Sequence, residues 1–350
     1  MTLRQAAGGK PLIGAALMSS QLEQPALAQL VAAQFDCITA ENELKPQLTE
    51  PKPGRFHFAD SDKLLVFAQA HGIKLIGHTL CWHQGTPSWM FQAPDGRPLT
   101  RDEALFNLKR HIDGVMGHYE SQILGWDVVN EALSDNSGEY LRDTPARRAI
   151  GDDYIVQAFK LARAADPRAE LYYNDYSTEN PGKRANQIRL IRELKAAGCR
   201  IDAVGIQGHF MLKYLDTPAV LEEAIKAFAA EGVKVCISEL DVDVLPRQTA
   251  GADIAAVEAG DGINPYADGL PAEVAAQQAA YYGRLFEVIA RHRDVIERVS
   301  FWGTQDGASW LNDWPVRGRK NYPLLWDRDL KPKPALATVL RALAQPHDGS

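Results

Sequence analysis

The sequence predicts an α/β protein built as a single (β/α)8 barrel, also called a TIM barrel. Three observations predict it: a repeated helix-to-strand cycle, eight short apolar runs, and polar residues directly after those runs. In this cycle a helical pattern ends, often at a glycine such as Gly72 or Gly198, and an apolar run follows. Glycine is the usual left-handed cap of a helix. A continuous apolar run is typical of a parallel strand that is buried on both faces.

The eight predicted strands occur in order along the whole chain. They lie at 12–17, 37–40, 74–77, 124–129, 170–173, 201–206, 233–238 and 299–301. Eight strands, each followed by a helical segment, match one eight-stranded barrel. The alternative is a doubly wound open sheet, which usually has a glycine-rich phosphate turn after its first strand. The segment Gly14-Ala15-Ala16-Leu17 lacks that motif.

Helical patterns separate these strands. They lie at 25–34, 61–70, 104–119, 153–165, 182–197, 272–291 and 334–343, and one more begins near 217. Thr100 and Glu103 have the spacing of a capping box. Thr217 is predicted to be an N-cap because Pro218 follows it.

Length and composition favour one globular domain. At about 150 residues per domain, 350 residues would suggest two domains, but α/β barrels often exceed 200 residues as one. No linker divides the chain, so we expect one catalytic domain over 1–350. Its core would span about 12–343, with an excursion at about 245–271 after the seventh strand.

The charge and hydropathy patterns exclude several classes of protein. The net charge is −7 and no basic tract occurs, which argues against nucleic-acid binding. Apolar runs are far shorter than the roughly 20 residues that span a bilayer, so we expect no membrane partner. We expect a monomer. The N-terminus lacks a secretory signal, and the location is left open, with secreted or periplasmic placed ahead of cytoplasmic.

The four cysteines are predicted to be free thiols. Cys37 should lie low in the second strand and Cys81 near the top of the third. At about 3.3 Å per residue, they are too far apart for the roughly 4.4–6.8 Å Cα separation of a disulfide. Cys199 should lie near the bottom of the barrel, whereas Cys236 lies inside the seventh strand.

The residues just past the predicted strands indicate a sugar-binding site. Catalytic side chains of such barrels lie at the carboxyl ends of the strands. Carboxylates, amides, imidazoles and tryptophans dominate these positions: Glu41, Asn42, Glu43, Lys45, His78, Trp82, His83, Asn130, Glu131, Asn174, Asp175, Tyr176, Gln207, His209, Glu239, Asp241, Trp302, Gln305, Asp306 and Trp310. Polar groups suit sugar hydroxyls, and flat rings suit the C–H faces of sugars.

Two glutamates in this set predict glycoside hydrolysis, which needs two carboxyl groups beside the scissile bond. Glu131 and Glu239 follow the fourth and seventh strands, which lie across the barrel mouth from each other. Their side chains could face each other over about 5–5.5 Å, the separation of retaining enzymes. One glutamate after a strand is more often a surface ion pair. Two of them with amide, imidazole and indole groups nearby favour catalysis.

Seven motifs, in order, resemble those of family 10 glycoside hydrolases, the endo-1,4-β-xylanases. They are Glu41-Asn42-Glu43-Leu44-Lys45-Pro46, Gly77-His78-Thr79-Leu80-Cys81-Trp82-His83, Trp126-Asp127-Val128-Val129-Asn130-Glu131-Ala132, Tyr173-Asn174-Asp175-Tyr176, Gly205-Ile206-Gln207-Gly208-His209, Ile237-Ser238-Glu239-Leu240-Asp241-Val242 and Phe301-Trp302-Gly303. The resemblance extends from about residue 12 to 343.

The resemblance implies a role for each matched residue. Glu131 resembles the residue that acts as general acid and base in this family, and Glu239 resembles the nucleophile. Asn130 would bond the sugar 2-hydroxyl, while Gln207, His209 and Asp241 would position Glu239. The remaining substrate-binding residues fall into three groups: the glycone wall of Glu41, Asn42, Lys45, His78 and Trp82, the leaving-group platform of Tyr176, and the aromatic floor and cover of Trp302 and Trp310. The substrate would be xylan or xylo-oligosaccharides, with no metal and no cofactor.

One motif departs from the family pattern. The family has glutamine two residues after the histidine of the Trp82-His83 pair. In this chain Gln84 comes one position early and Gly85 fills the expected place. A hydrogen bond in the distal glycone subsite is therefore in doubt.

Three other functions remain as alternatives. A metal-dependent barrel hydrolase would need clustered histidines, whereas His78 and His83 are five residues apart. A non-catalytic sugar-binding barrel would be expected to have lost one of the two glutamates. Another retaining β-1,4-glycanase shares the layout of the two glutamates, and activity on xylan against carboxymethylcellulose would discriminate it.

Overall fold

The computed structural model describes residues 1–249, 251–257 and 264–345. Within them, eight parallel strands close into a barrel, as the sequence predicts. They are β1 (Leu12–Leu17), β2 (Cys37–Ala40), β3 (Lys74–His78), β4 (Gly125–Asn130), β5 (Glu170–Asp175), β6 (Ala203–Ile206), β7 (Lys234–Asp243) and β8 (Ile296–Phe301). Neighbours in the chain pair with each other, and β8 pairs with β1 from Leu12↔Arg298 onward. This closure excludes the open doubly wound sheet.

Helices surround the barrel. They span Leu3–Ala7, Pro25–Gln34, Pro46–Thr49, Ala59–Ala70, Arg101–His118, Pro145–Ile150, Tyr154–Ala165, Pro181–Ala196, Thr217–Ala230, Ala272–Arg291 and Pro334–Leu343, with 3-10 turns at Ser19–Glu23, Ser88–Met90, Asp306–Ala308 and Trp310–Asn312. The capping box of Thr100 and Glu103 is confirmed. No helix among the described residues is long and apolar enough to cross a membrane.

Some predicted boundaries were wrong. Thr217 is the first residue of its helix and Asp216 occupies the cap position. Strands β3, β4 and β5 extend to His78, Asn130 and Asp175, because ladder hydrogen bonds continue although the side chains have become polar. A short strand, His209–Met211, was not predicted; it pairs with the last residues of β7.

Apolar side chains fill the space between the strands and the helices, where Ile38, Ile112 and Phe286 are fully buried. A second, smaller cluster joins residues of five different strands, which can meet only inside the barrel. Its members are Cys37, Ile76, Tyr172, Ala203 and Cys236.

A buried charge also lies inside the barrel. Arg298 is 1% exposed, and its Nη1 donates to Ser300 Oγ at 3.1 Å. Its Nη2 lies 3.9 Å from Asp127 Oδ1, while Asp127 Oδ2 lies 2.9 Å from Nδ1 of His78. A buried charge requires such partners to offset the loss of water. The chain of contacts links the barrel interior to His78 at the mouth.

All four cysteines are free, as predicted. Burial raises the pKa of Cys37 to about 11 and the pKa values of Cys81 and Cys236 to about 12. Cys199 is only partly buried, and burial also raises its pKa. Thiolates are the reactive form, so the folded protein should shield at least three of the thiols.

We expect four equivalents of an aromatic disulfide reagent to react in denaturant without reductant, because all four thiols are free. In the folded protein at pH 8, no more than one thiol, Cys199, should react within minutes. Cys199→Ser should abolish that native-state reaction and leave three equivalents in denaturant. A count of two or zero for the denatured wild-type chain would contradict the assignment.

Candidate active site

Irregular strand register positions the two glutamates. The pairing of β4 with β5 shifts between Asp127 and Val129, shortly before Glu131. The pairing of β7 with β8 shifts between Ile237 and Leu240, the interval that contains Glu239. Such irregularities change the direction in which the following side chains point, and they often occur beside active sites. Both glutamates are 5% exposed at the carboxyl end of the barrel.

The backbone at Glu131 has a left-handed conformation, with φ of 57°. That region costs a residue with a side chain roughly 1–2 kcal/mol. Two hydrogen bonds hold it: the Glu131 N–H donates to Asn174 O at 2.9 Å, and the Glu131 carbonyl accepts from Nε of Arg142 at 3.1 Å. The position of this side chain is therefore fixed by its neighbours.

The Glu131 carboxyl accepts three hydrogen bonds. Nε1 of Trp82 donates to Oε2 at 2.7 Å, whereas Gln207 Nε2 and Asn130 Nδ2 donate to Oε1 at 2.9 and 3.2 Å. The side chain of Gln207, expected to hold Glu239, thus bonds Glu131 instead. Burial nevertheless raises its pKa to about 7, and the charge of Asp175 adds to the rise. This group can hold a proton at neutral pH.

Glu239 has the opposite electrostatic environment. Burial would raise its pKa, but the hydrogen bond and charge of His209, the charge of His78 and the amide of Asn174 lower it below 4.5. Asn174 Nδ2 donates to Oε1 at 2.7 Å, and His209 Nε2 lies 3.1 Å from Oε2. Glu239 is therefore ionised at neutral pH.

His209 is a cation between two carboxylates. Burial alone would lower its pKa, but Asp241 and Glu239 raise it to about 10. The protonated ring donates from Nδ1 to Asp241 Oδ2 at 3.0 Å as well as to Glu239. Trp310 Nε1 donates to the same Asp241 oxygen at 2.8 Å. Asp241 thus fixes the imidazole that orients Glu239.

Asn174 connects the two glutamates. Besides Glu239, its Nδ2 donates to Asn130 Oδ1 at 2.9 Å, and Asn130 in turn donates to Glu131. Gly205 provides the space, because a Cβ there would lie 2.1 Å from Asn174 Oδ1. The amides therefore hold the carboxyl groups in one hydrogen-bonded network.

The predicted glycone wall also assembles at this end of the barrel. Lys45 Nζ donates to Asn42 Oδ1 at 2.8 Å and lies 5.0 Å from the centre of the Trp82 ring. Burial lowers the pKa of Lys45 and raises that of Glu41 to about 7, although Lys45 opposes the rise. The rings of His78 and Trp302 meet edge to face at 5.2 Å.

Trp310 lies close to the nucleophile network. Its ring meets His209 edge to face at 4.9 Å and stacks on Trp314 at 4.5 Å. Arg247 covers the Trp314 ring at 4.7 Å. Trp314, for which the sequence indicated no role, thus holds the Trp310 ring in place by stacking on it.

Tyr176 is placed differently from the other aromatic residues of the set. It is 3% exposed, and Lys183 Nζ lies 3.7 Å from the ring centre. Its hydroxyl accepts from Arg142 Nη2 at 2.7 Å and bonds Asp135. Its role as a leaving-group platform stays a prediction.

Several residues of this network have no role that the sequence predicts. Asn174 and Asp175 stood in the strand-end set without an assigned function, and Asp127 stood only inside a motif. Arg142 was missed because it lies in a loop 12 residues after β4, where no strand pattern marks it. Its buried partners identify it only in the folded protein.

The geometry supports acid–base and nucleophilic chemistry. Two neighbouring carboxyl groups with pKa values displaced in opposite directions are the usual arrangement of an acid and a nucleophile. Among the described residues, no group of three or more histidine, cysteine or acidic side chains is arranged to hold a metal ion. The hydrogen-bonded network around Glu131 and Glu239 consists of carboxyl, amide, imidazole and indole groups.

Comparison with known proteins gives one consistent result. The model of glycosyl hydrolase family 10 matches residues 2–342. Endo-1,4-beta-xylanase A of Xylanibacter ruminicola is 41% identical over 345 residues, covering 97% of this chain and 93% of that protein. An endo-1,4-beta-xylanase of Geobacillus stearothermophilus is 38% identical, with 97% and 98% covered. The solved structure of a GH10 endoxylanase from a sugarcane soil metagenome superimposes with a TM-score of 0.90 at 35% identity, covering 98% and 99%.

Replacing Trp82 by Phe should raise the pKa of Glu131 above 7. The change keeps an aromatic ring but removes the N–H that stabilises the Glu131 carboxylate. Carboxyl-carbon NMR titration measures this pKa directly. Trp310→Phe is the matched control, because its N–H donates to Asp241, and it should leave the Glu131 pKa near 7. An unchanged or lower value in Trp82→Phe would refute the assigned contact.

Proposed function

The chain belongs to glycosyl hydrolase family 10, and from this premise we propose that it is a retaining endo-1,4-β-xylanase. It hydrolyses internal β-1,4-xylosidic bonds of xylan or xylo-oligosaccharides, as a monomer, by double displacement. The observation that supports the mechanism best is the opposite displacement of two pKa values, raised at Glu131 and lowered at Glu239.

The first step forms a covalent intermediate. Ionised Glu239 attacks the anomeric carbon, and protonated Glu131 gives its proton to the leaving oxygen. His209 and Asn174 hold the attacking carboxylate, each through one oxygen. Asn130 bonds the sugar 2-hydroxyl, an interaction that strengthens as the ring gains oxocarbenium character.

The second step reverses the role of Glu131. Once Glu239 is an ester its negative charge is gone, and that charge is one of the causes of the raised pKa of Glu131. The pKa of Glu131 therefore falls, while Asp175 keeps its own contribution. The ionised Glu131 takes a proton from water, and the water displaces Glu239 from the opposite face. Two displacements return the β configuration.

We assign the remaining residues of the site to substrate binding. Glu41, Asn42, Lys45, His78 and Trp82 bind the glycone sugars, and Trp302 and Trp310 supply apolar surfaces for sugar rings. Lys45 and Asn42 are already bonded to each other, so they present a fixed pair of polar groups to a hydroxyl. Product analysis on xylan, carboxymethylcellulose and defined xylo-oligosaccharides tests the substrate class.

The two glutamates should differ in how strongly the effect of their removal depends on the leaving group. Glu239→Ala should lower kcat at least about 10⁴-fold on every substrate. Glu131→Ala should lower activity on xylan about 10²–10⁴-fold, yet spare the first step on an activated aryl xylobioside and produce a burst. Stopped-flow release of the aryl alcohol measures the burst.

The configuration of the product formed with azide distinguishes a double displacement from a single one. Azide should accelerate the second step of Glu131→Ala and yield a β-glycosyl azide, identified by NMR. Glu287→Ala, an exposed change on the helix Ala272–Arg291, is the matched control and should retain wild-type rates. An α-glycosyl azide would mean a single displacement and would overturn the role of Glu239.

The pH dependence of kcat/KM should be a plateau that extends below 4.5 and ends at about 7. Activity falls above pH 7 because Glu131, whose pKa is about 7, loses the proton it must donate. Activity persists below 4.5 because the pKa of Glu239 is lowered and it stays ionised. Since burial also raises the pKa of Glu41 to about 7, Glu41→Gln is the necessary control. If its alkaline limb disappears, Glu41 rather than Glu131 controls the profile.

A further inference from the structure

We infer that Asp253 determines specificity on the leaving-group side of the cleft. It holds the segment 251–257 against the loops that follow β3 and β4, and it thereby limits the length of xylan that extends beyond the cleaved bond. This inference rests on the proposed function. It concerns a part of the 245–271 excursion for which the sequence indicated no role.

The segment 251–257 reaches loops that are distant from its own strand. It follows β7, whose neighbours in the barrel are β6 and β8. Asp253 Oδ1 nevertheless accepts from Gln84 Nε2, in the loop after β3, at 2.6 Å. Asp253 Oδ2 lies 3.8 Å from Nη1 of Arg142, in the loop after β4. One carboxylate therefore joins three loops at the barrel mouth.

Both partners of Asp253 lie beside the acid and base. Arg142 donates through Nε to the backbone carbonyl of Glu131 at 3.1 Å. Gln84 is two residues from Trp82, which donates to the Glu131 carboxyl at 2.7 Å. Asp253 therefore contacts one residue that bonds the Glu131 backbone and another that lies two positions after Trp82. The leaving sugar lies next to Glu131, because Glu131 protonates its oxygen.

The same segment covers the predicted leaving-group platform. A Cβ on Gly251 would lie 3.1 Å from the ring of Tyr176, so the two are in close contact. With Lys183 also over the ring, Tyr176 is 3% exposed. A sugar that stacks on an aromatic ring needs an open ring face. The segment and Lys183 together therefore cover the ring on which a leaving-group sugar would stack.

Contacts on the N-terminal side of Asp253 hold the segment in place. Arg247 Nη1 donates to the carbonyls of Thr249 and Gly251 at 3.0 and 2.8 Å, and Arg247 pairs with Asp243 of β7 at 2.8 Å. Asp253 Oδ1 also accepts from the backbone N–H of Ala255 at 2.9 Å. These contacts make the segment a wall of defined position.

A groove borders this segment. Its volume is about 700 Å³, and its lining includes Asp135, Tyr176, Lys183, Asp253 and Ala256. Asp253 thus borders the groove and also bonds Gln84 near Glu131. Removing its carboxylate should let further leaving-group sugars extend from the cleavage point toward the groove.

The test is the cleavage pattern of xylohexaose labelled at its reducing end. The length of the labelled product counts the sugars on the leaving-group side. The wild type should release mainly labelled xylose and xylobiose. Asp253→Ala should shift the products toward labelled xylotriose, and the ratio of kcat/KM for xylohexaose to that for an aryl xylobioside should rise about fivefold or more.

Two further variants keep the result interpretable. Gln84→Glu leaves Asp253 in place but puts a second carboxylate at the 2.6 Å contact, so it should reproduce the shift by repulsion. Asp268→Ala changes an exposed carboxylate of the same excursion and should keep the wild-type pattern. Circular dichroism and thermal unfolding establish that each variant is folded.

The outcomes separate this inference from the proposed function. If folded Asp253→Ala and Gln84→Glu keep the wild-type cleavage pattern and substrate ratio, Asp253 does not determine leaving-group specificity. If the wild type fails to hydrolyse the aryl xylobioside, which needs no leaving-group sugar, the proposed function itself fails. A shift in both variants with none in Asp268→Ala would support the assignment.

Discussion

Two carboxyl groups in one buried site cannot easily both be charged, and the rest of the active site depends on this constraint. The protein resolves it by giving each carboxyl a different set of partners. Glu239 receives the imidazolium of His209 and an amide, whereas Glu131 receives neutral donors and faces the charge of Asp175. The resulting asymmetry assigns the proton to Glu131 before substrate binds. Burial strengthens the effect, because charges interact more strongly away from water.

The barrel supplies the rigid frame that this asymmetry requires. Parallel strands bring their carboxyl ends to one mouth, and register shifts in β4 and β7 precede or contain the two glutamates. Beneath the mouth, Arg298, Asp127 and His78 form a buried polar chain. Such a chain costs desolvation energy, which only well-placed partners offset. This chain of contacts fixes the orientation of His78 beside Trp302.

The two sides of the cleft are built differently. On the glycone side, polar and aromatic residues of the strand ends form the surface directly, as with Lys45, Asn42 and Trp82. On the side of Tyr176, loops form most of the surface. Arg142 donates hydrogen bonds both to the backbone of Glu131 and to the hydroxyl of Tyr176. A strand end tolerates little variation in position, whereas loops of different length can redirect a surface. In the proposed mechanism, catalysis therefore depends on the barrel frame, and the inferred leaving-group specificity depends on the loops.

The sequence by itself determined the barrel and the order of its eight strands, and it predicted that two glutamates lie at the barrel mouth. Those features rest on local patterns: apolar runs of strand length, caps at helix ends, and polar residues that stop each run. Only the tertiary structure decided how the side chains meet. The short strand His209–Met211, the role of Asn174 between the glutamates and the bond of Gln84 to Asp253 were not predicted. The last joins residues 169 positions apart, and no periodicity encodes such a distance. Burial, pKa values and loop contacts depend on which surfaces pack together, and packing exists only once the chain is folded.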